Sequence, residues 1–307
     1  MRRAAIIVGQ GLGVLVVVLG LALGLQIWRN SGDAELPEPA EGTLRIAGYN
    51  VHYIRMRAAE GPWSVGDWQV RRGPLDAAFK TLDADLVAFQ EMESFGGGRA
   101  SDENLARDWL LERNPGYAVA AAGDPAEFPS TQPILYRTDR LRQADQGWFF
   151  FSETPDVLYS RTFDGSYPAF ASWAAFEDRN TGAGFRVVNI HFDYASGENR
   201  LRSSALVRDR ISGWIDAGES VILMGDTNAL EGRPTMEILE EAGLEFTDVS
   251  GATYHFDRGL NLFGAIDHIA LSGEAELAAG PFVLRRRFEG EWPTDHYPVV
   301  ADIRLSP

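Results

Sequence analysis

Cysteine is missing altogether from this chain of 307 residues. Its absence excludes disulfides, thiolate metal sites, a cysteine nucleophile and a cysteine-linked lipid anchor. Basic residues are scarce: 28 Lys and Arg stand against 44 Asp and Glu, giving a formal net charge of −16. Such a surface repels polyanions at long range, and proteins that grip duplex nucleic acid non-specifically neutralise its phosphates with Lys and Arg. High-affinity duplex binding is therefore disfavoured. Chemistry on phosphate esters is not, because a bound cation can supply positive charge locally. Internal repeats and low-complexity tracts are also lacking, and a hydrophobic content of 45% is too high for disorder.

One long apolar run is present. From Ala4 to Ile27 the clearly polar residues are Gln10 and Gln26, and the run is long enough to span a hydrocarbon core of about 30 Å. Arg2 and Arg3 precede it, whereas Asp33, Glu35 and Glu38 follow Arg29, which predicts a cytoplasmic N-terminus. A cleaved signal peptide is the competing reading. The length of the run and the lack of a clean small-x-small site favour an anchor. The expected organisation is a membrane anchor or signal segment over residues 1–29, a Pro- and acid-rich linker over 30–42 and one domain over 43–307. That domain is expected outside the cytoplasm, in the periplasm if the source is bacterial.

Short apolar runs predict strands at Thr43 to Val51, Asp85 to Phe89, Tyr117 to Ala121, Ile134 to Arg137, Ala171 to Glu177, Phe185 to His191, Val221 to Met224, Ile266 to Leu271 and Tyr297 to Ile303. Helices are predicted at Pro74 to Leu82, Leu105 to Asn114, Asn199 to Ala217 and Thr235 to Ala242, and Tyr53 to Gly73 reads as irregular. Strands outnumber helices, and helices often follow strands. The fold class is α/β, with two packed sheets and helices outside.

Several strands end in polar groups. Asn50, Glu91, His191 with Asp193, and Asp226 with Asn228 each follow an apolar run; Asp267 with His268, and Asp295 with His296, border one. Asp226 and Asn228 lie two apart after Gly225, so an extended backbone sends both side chains to one side. Each residue has an ordinary alternative as a turn former or a solvated loop residue. His268 alternates away from Asp267 and is left out of the site, and His255 is a weaker loop candidate. If the strands share packed sheets, their ends converge on one cleft. Two histidines, several carboxylates and two amides suit Mg²⁺ or Mn²⁺ better than Zn²⁺. Arg285–Arg286–Arg287, and Arg55, Arg57, Arg71 and Arg72, are candidate basic patches for a polyanion, although a solvated face or loop is the favoured reading of both.

The ordered set Tyr49-Asn50-Val51, Phe89-Gln90-Glu91, Val188-Asn189-Ile190-His191-Phe192-Asp193, Gly225-Asp226-Thr227-Asn228, Ile266-Asp267-His268 and Thr294-Asp295-His296-Tyr297-Pro298 resembles the endonuclease/exonuclease/phosphatase superfamily, the DNase I-like fold. Phe151-Ser152-Glu153-Thr154-Pro155, Trp173 and the stretch His191 to Arg200 resemble a bacterial branch of it. The resemblance covers roughly Leu44 to Leu305. It implies a four-layered α/β sandwich, here preceded by one N-terminal transmembrane helix, and phosphoester hydrolysis assisted by Mg²⁺ or Mn²⁺.

Carried over by the resemblance, Glu91 is the main metal ligand with Asn50 beside it, and Asp295 contacts the metal or its waters. Asp226 orients or deprotonates the attacking water, and Asn228 holds a phosphate oxygen. His296, oriented by Asp267, stabilises the developing charge, and His191 binds the phosphate. Two departures touch substrate choice. Pro168 is followed by Ala169 where that branch often has Arg, leaving Arg161 as a substitute, and Tyr194 stands where a second histidine often follows. The implied substrate is a nucleic acid, a lipid head group or a small phosphorylated metabolite, and no protein partner is evident. The other class is a catalytically inactive binding protein of the same fold. Loss of Glu91, Asp226 or His296 would mark it, and all three are present.

Overall fold

The computed structural model describes residues 2–32, 35–96 and 103–306, without the side chains of residues 2–12 and 14. Helix α1 (Arg2–Asn30) leads into strands β1 (Leu44–Asn50) and β2 (Ile54–Arg55), helix α2 (Val65–Leu82), strands β3 (Leu86–Gln90) and β4 (Ser94–Phe95), and helix α3 (Leu105–Arg113). Strands β5 (Tyr117–Ala120), β6 (Ile134–Arg137), β7 (Leu141–Phe150), β8 (Phe170–Asp178) and β9 (Gly184–His191) follow. Helix α4 (Gly197–Asp216), strand β10 (Ser220–Asp226), helix α5 (Pro234–Glu240) and strands β11 (Glu245–Phe246), β12 (Asp267–Leu271), β13 (Ala275–Val283) and β14 (Val299–Leu305) complete the chain.

Two six-stranded mixed sheets form, in the orders β13-β14-β1-β3-β6-β5 and β11-β12-β10-β9-β8-β7. Their central strands are apolar on both faces because both faces are covered. In β1, Leu44 and Ile46 point between the sheets, while Ala47 and Tyr49 point to the outer core under α2 and α3. In β10, Ile222 and Met224 point between the sheets, while Val221 and Leu223 meet α4 and α5. Three cores thus separate four layers, helix–sheet–sheet–helix, as expected of the α/β sandwich. The sheets approach closely where Gly48 of β1 faces Gly225: a Cβ built at Gly48 would lie 3.9 Å from the Gly225 nitrogen.

Besides the two-residue strands β2, β4 and β11, the structure differs from the sequence expectation at α2, β7 and β13. Helix α2 starts at Val65, capped by the Ser64 hydroxyl, although residues up to Gly73 read as irregular. Its inward stripe includes Arg71, only 4% exposed, and a guanidinium at a core position breaks the apolar period. The same burial corrects the reading of Arg71 as part of a solvated basic face. Strands β7 and β13 were not predicted. Both are edge strands: β7 carries Arg142, Gln143, Asp145 and Gln146 in its first half, and β13 is interrupted by Gly280 and Pro281, which argue against a strand in sequence.

Of the expected membrane span, Ala4 to Ile27, the side chains of residues 13 and 15–27 are described. Among the described residues no helix is long and apolar enough to cross a membrane. The described part of α1 exposes Leu15, Val16, Val17, Val18, Leu19, Leu21, Leu23 and Leu25 to solvent. Its last turns are fixed to the domain: Gln26 Nε2 donates to the Leu262 carbonyl at 3.3 Å, and Asn30 Nδ2 to the Asn261 carbonyl at 3.3 Å. The following stretch runs along the domain, with Leu36 packed on the outer core and the Ala40 N–H donating to Asp302 at 3.0 Å.

Candidate active site

Strand register assembles the site. β1 and β3 run parallel with Asn50 opposite Gln90, so Glu91 emerges beside Asn50. In the other sheet Asp226 pairs with His191 on one side and with Asp267 on the other. Period-two alternation places Asn50, His191, Asp226 and Asp267 on the inter-sheet face, in line with Ile46, Val187, Ile222 and Ile269 below them. His296 arrives from the segment before β14, in the opposite sheet.

The side chains meet. Asn50 Nδ2 donates to Glu91 Oε1 at 3.1 Å and to Asp226 Oδ2 at 3.2 Å, tying the two sheets together. His191 Nε2 lies 3.7 Å from both Glu91 Oε1 and Asp226 Oδ2. His296 Nδ1 pairs with Asp267 Oδ2 at 2.9 Å, and its Nε2 lies 3.8 Å from Asp226 Oδ2. Asp226, Asp267 and His296 are buried, whereas the Glu91 and His191 side chains keep 20% and 25% exposure at the mouth. Glu91 and Asn228 both hold positive φ, at 54° and 47°. Such backbone is uncommon for residues with side chains and clusters at functional sites.

Gly225 makes the turn of β10 possible. Its φ is 143°, and a Cβ there would sit 2.0 Å from the Ile190 carbonyl oxygen. The Asn228 backbone N–H then donates to Asp226 Oδ1 at 2.8 Å, and its side-chain amide donates to the Phe192 carbonyl at 2.9 Å. One amide hydrogen of Asn228 is thus committed to the fold.

Burial pushes the Asp226 carboxyl up to about 6, and the neighbouring Asp267 charge pushes the same way. Burial alone would depress His296, but the Asp267 carboxylate holds its imidazolium up to about 10. For Asp267, burial works upward but loses to His296, and its carboxyl stays below the usual range. Glu91 is likewise held low by His191 and His52 against the effect of burial.

Asp226, Asp267 and His296 bring one ligand atom each within 4.8 Å of one another, and Glu91 lies one amide away. The hard carboxylate oxygens of Glu91, Asp226 and Asp267, with Glu91 reaching the mouth of the cleft, fit a divalent cation such as Mg²⁺ or Mn²⁺, whereas His296 as an imidazolium offers it no lone pair. Asn50 would join it only through its Oδ1, which accepts from the His52 N–H at 3.2 Å. Asp295 is 9% exposed and accepts from the Thr294 hydroxyl at 3.2 Å.

A family model, the Endonuclease/Exonuclease/phosphatase family, matches residues 49–296, a span that contains every residue of this cleft. The chain belongs to that family. Solved structures place this member among similar folds. An endonuclease/exonuclease/phosphatase family protein from Bacteroides thetaiotaomicron is 24% identical, with 88% of this chain and 100% of that chain covered and a TM-score of 0.67. A mannosyl-6-phosphatase from Bacteroides thetaiotaomicron VPI-5482 is 24% identical over 85% and 100% of the two chains, with a TM-score of 0.66. D. rerio TDP2 complexed with single strand DNA product is 14% identical over 86% and 100%, with a TM-score of 0.58. No curated protein matches by sequence. These likenesses show the fold.

Some predicted polar residues stand elsewhere. Asp193 accepts from the Ala195 and Ser196 N–H groups at 2.8 and 2.6 Å and shapes the entry to α4. His268 points away from the cleft onto the Ala229 carbonyl at 3.1 Å, as its alternation requires. His255 is buried between Tyr297 and Trp292. Arg161 donates within its own loop to the Gly165 carbonyl, and Tyr194 is 83% exposed.

Other residues of this family member were not foreseen. His52 lies 4.0 Å from Glu91 and stacks on Trp63 at 3.8 Å. Arg71 donates to the carbonyls of Val51, Pro293 and His52 at 2.9, 3.2 and 3.2 Å, clamping the end of β1 to the segment that delivers His296. One step below the site, Gln90 Nε2 donates to Asn189 Oδ1 at 2.7 Å, and Asn189 Nδ2 donates to the Phe89 and Gln132 carbonyls. The signal for the last pair was visible: both are amides inside apolar strand runs.

Proposed function

We propose that this chain is a metal-dependent phosphoester hydrolase, anchored to a membrane by its N-terminal helix. The observation that carries the reading is the meeting of Glu91, Asn50, His191, Asp226 and the Asp267–His296 pair at one end of the sheet interface, each with a polar atom no more than 3.8 Å from a neighbour's, in a family named for nucleases and phosphatases. Glu91 holds the cation, assisted by Asp295 and by Asn50 through its carbonyl oxygen. When bound, Mg²⁺ or Mn²⁺ supplies positive charge at a phosphoryl oxygen.

The chain's own residues do the rest. Asp226, with its carboxyl near 6, is ionised at neutral pH yet basic enough to take a proton from the attacking water. Cationic His296 presents Nε2–H to the oxygen on which charge develops, and Asp267 fixes its ring and keeps it charged. His191 and the remaining Asn228 N–H hold the phosphate. Similar folds include a mannosyl-6-phosphatase and TDP2 complexed with single strand DNA product, so this architecture accommodates both a phosphorylated sugar and a nucleic acid. A net charge of −16 favours a lipid head group or a small phosphorylated metabolite over duplex DNA.

The exposed apolar side chains of α1 support a single span, and the charge bias around it supports an extracytoplasmic domain. The test is hydrolysis of bis-p-nitrophenyl phosphate, p-nitrophenyl phosphate, plasmid DNA and a phospholipid by the full chain in detergent, with Mg²⁺, with Mn²⁺ and with EDTA. Metal-dependent turnover of at least one, lost in Asp226→Ala, is expected. Folded protein that turns over none of them would overturn the reading.

A further inference from the structure

The loop between Tyr254 and Phe263 joins the cleft to the root of α1. At one end, Tyr254 bridges His296 through the backbone, and their rings lie 5.0 Å apart. Tyr254 meets Phe256 at 4.5 Å, and Phe256 meets Phe263 at 6.0 Å. At the other end the loop is bonded to the last turns of α1 through Gln26 to Leu262, Asn30 to Asn261, and Asn261 Nδ2 to Ser31 Oγ at 2.9 Å. Asn261 also accepts from the Tyr297 hydroxyl at 3.2 Å, so the loop is held from both sides.

Its tip is apolar and bare. Leu260 is 38% exposed and Phe263 53%, and Trp28 on the adjoining turn of α1 is 72% exposed. Nothing in the catalytic arrangement uses these side chains. Arg29 is exposed on the last turn of α1, Arg287 lies over Trp292 at 4.9 Å, and Arg285 packs against Gly32 and donates to the Ala252 carbonyl at 2.8 Å.

We infer that the Leu260–Phe263 tip is a membrane-docking rim and that a phospholipid bilayer is its occupant. The inference rests on α1 being the anchor. The apolar surface of α1 continues into Trp28 and then, through hydrogen bonds, into Leu260 and Phe263. A helix seated in lipid therefore brings this tip to the depth at which aromatic side chains and arginines gather. Through Tyr254 the rim continues to His296, so the His296 wall of the cleft is the side that faces the membrane surface.

The absence of cysteine permits a direct test. Phe263→Cys, Leu260→Cys and a control, Asn180→Cys, are each made in the full chain and labelled with an environment-sensitive nitrobenzoxadiazole fluorophore. Asn180 lies in the exposed turn between β8 and β9, at the end of the sheet opposite His191. The proteins are reconstituted into phosphatidylcholine–phosphatidylglycerol vesicles. Blue-shifted emission at 263 and 260, quenched several-fold more by spin-labelled lipid than at 180, is expected. Chain that floats with the vesicles while probes at 263 and 260 stay as wet as the one at 180 would overturn the docking rim and leave the anchor standing. Chain that fails to float would overturn the anchor and the rim together, whatever the outcome of the hydrolysis assays.

Discussion

His296 Nε2 stands 3.8 Å from Asp226 Oδ2 although the two residues come from opposite sheets. Asp267 holds the first cationic, while burial holds the second near 6. Between these values a charged acid and an ionised base coexist across one gap, as water activation and charge stabilisation require.

Asp226→Ala and His296→Ala are each expected to lower kcat by about 10²-fold or more, with the fold retained. The check is steady-state kinetics on the best substrate beside far-UV circular dichroism. More than about a tenth of the activity left in either variant contradicts the assigned roles.

Replacing Asp267 with Asn removes the charge that raises His296 and also one that raises Asp226. Both groups should then titrate lower, so both limbs of the kcat/KM profile move toward acid, the alkaline limb by about two units. An unmoved alkaline limb would show that His296 is not the group titrating there.

Adding Mg²⁺ or Mn²⁺ should raise the melting temperature, because a cation relieves the repulsion among Glu91, Asp226 and Asp267. The effect should fade as pH falls through about 6, where Asp226 takes a proton. EDTA should abolish turnover, and Glu91→Gln should lose both the thermal shift and the activity. Differential scanning fluorimetry across pH, with and without metal, reads this directly.

Gly225→Ala should destabilise the domain by about 3 kcal/mol or more, since its φ of 143° and the Ile190 carbonyl leave no room for a methyl group. Urea denaturation measures the loss. A neutral outcome would mean that the end of β10 can relax.

Burial pushes His255 down to about 3 from 6.5. Its neutral form in the fold contributes stability that is present above pH 6.5 and is lost as pH falls toward 3, because the unfolded chain takes up the proton first. By about pH 5 the loss should reach about 2 kcal/mol, and His255→Phe should flatten that limb of the stability curve.

The central strands were legible in the sequence because they are covered on both faces and read as uninterrupted apolar runs. The strand-end polar residues were legible for the same reason: Asp226 and Glu91 stop such runs abruptly. What escaped was the polar interior. Arg71 reads as surface in any composition-based view, yet it is buried, clamps two loops and hides the first half of α2. Edge strand β7 lacks the second covering layer that would have made it apolar, and Gly280 and Pro281 disguise edge strand β13. Register alone brings Asp226 opposite both His191 and Asp267, and register between distant strands leaves no local trace in the sequence.

The amide layer beneath the cleft has a consequence for fidelity of assembly. Across the sheet interface Gln90 donates to the Asn189 side chain, Gln132 to the Asn189 carbonyl and Asn189 to the Gln132 carbonyl. Sliding either strand by one residue would send these amides to the other face and strand their donors in hydrocarbon. The rung therefore acts as a key that admits a single alignment, and that alignment is the one in which Asn50, Glu91 and Asp226 arrive together.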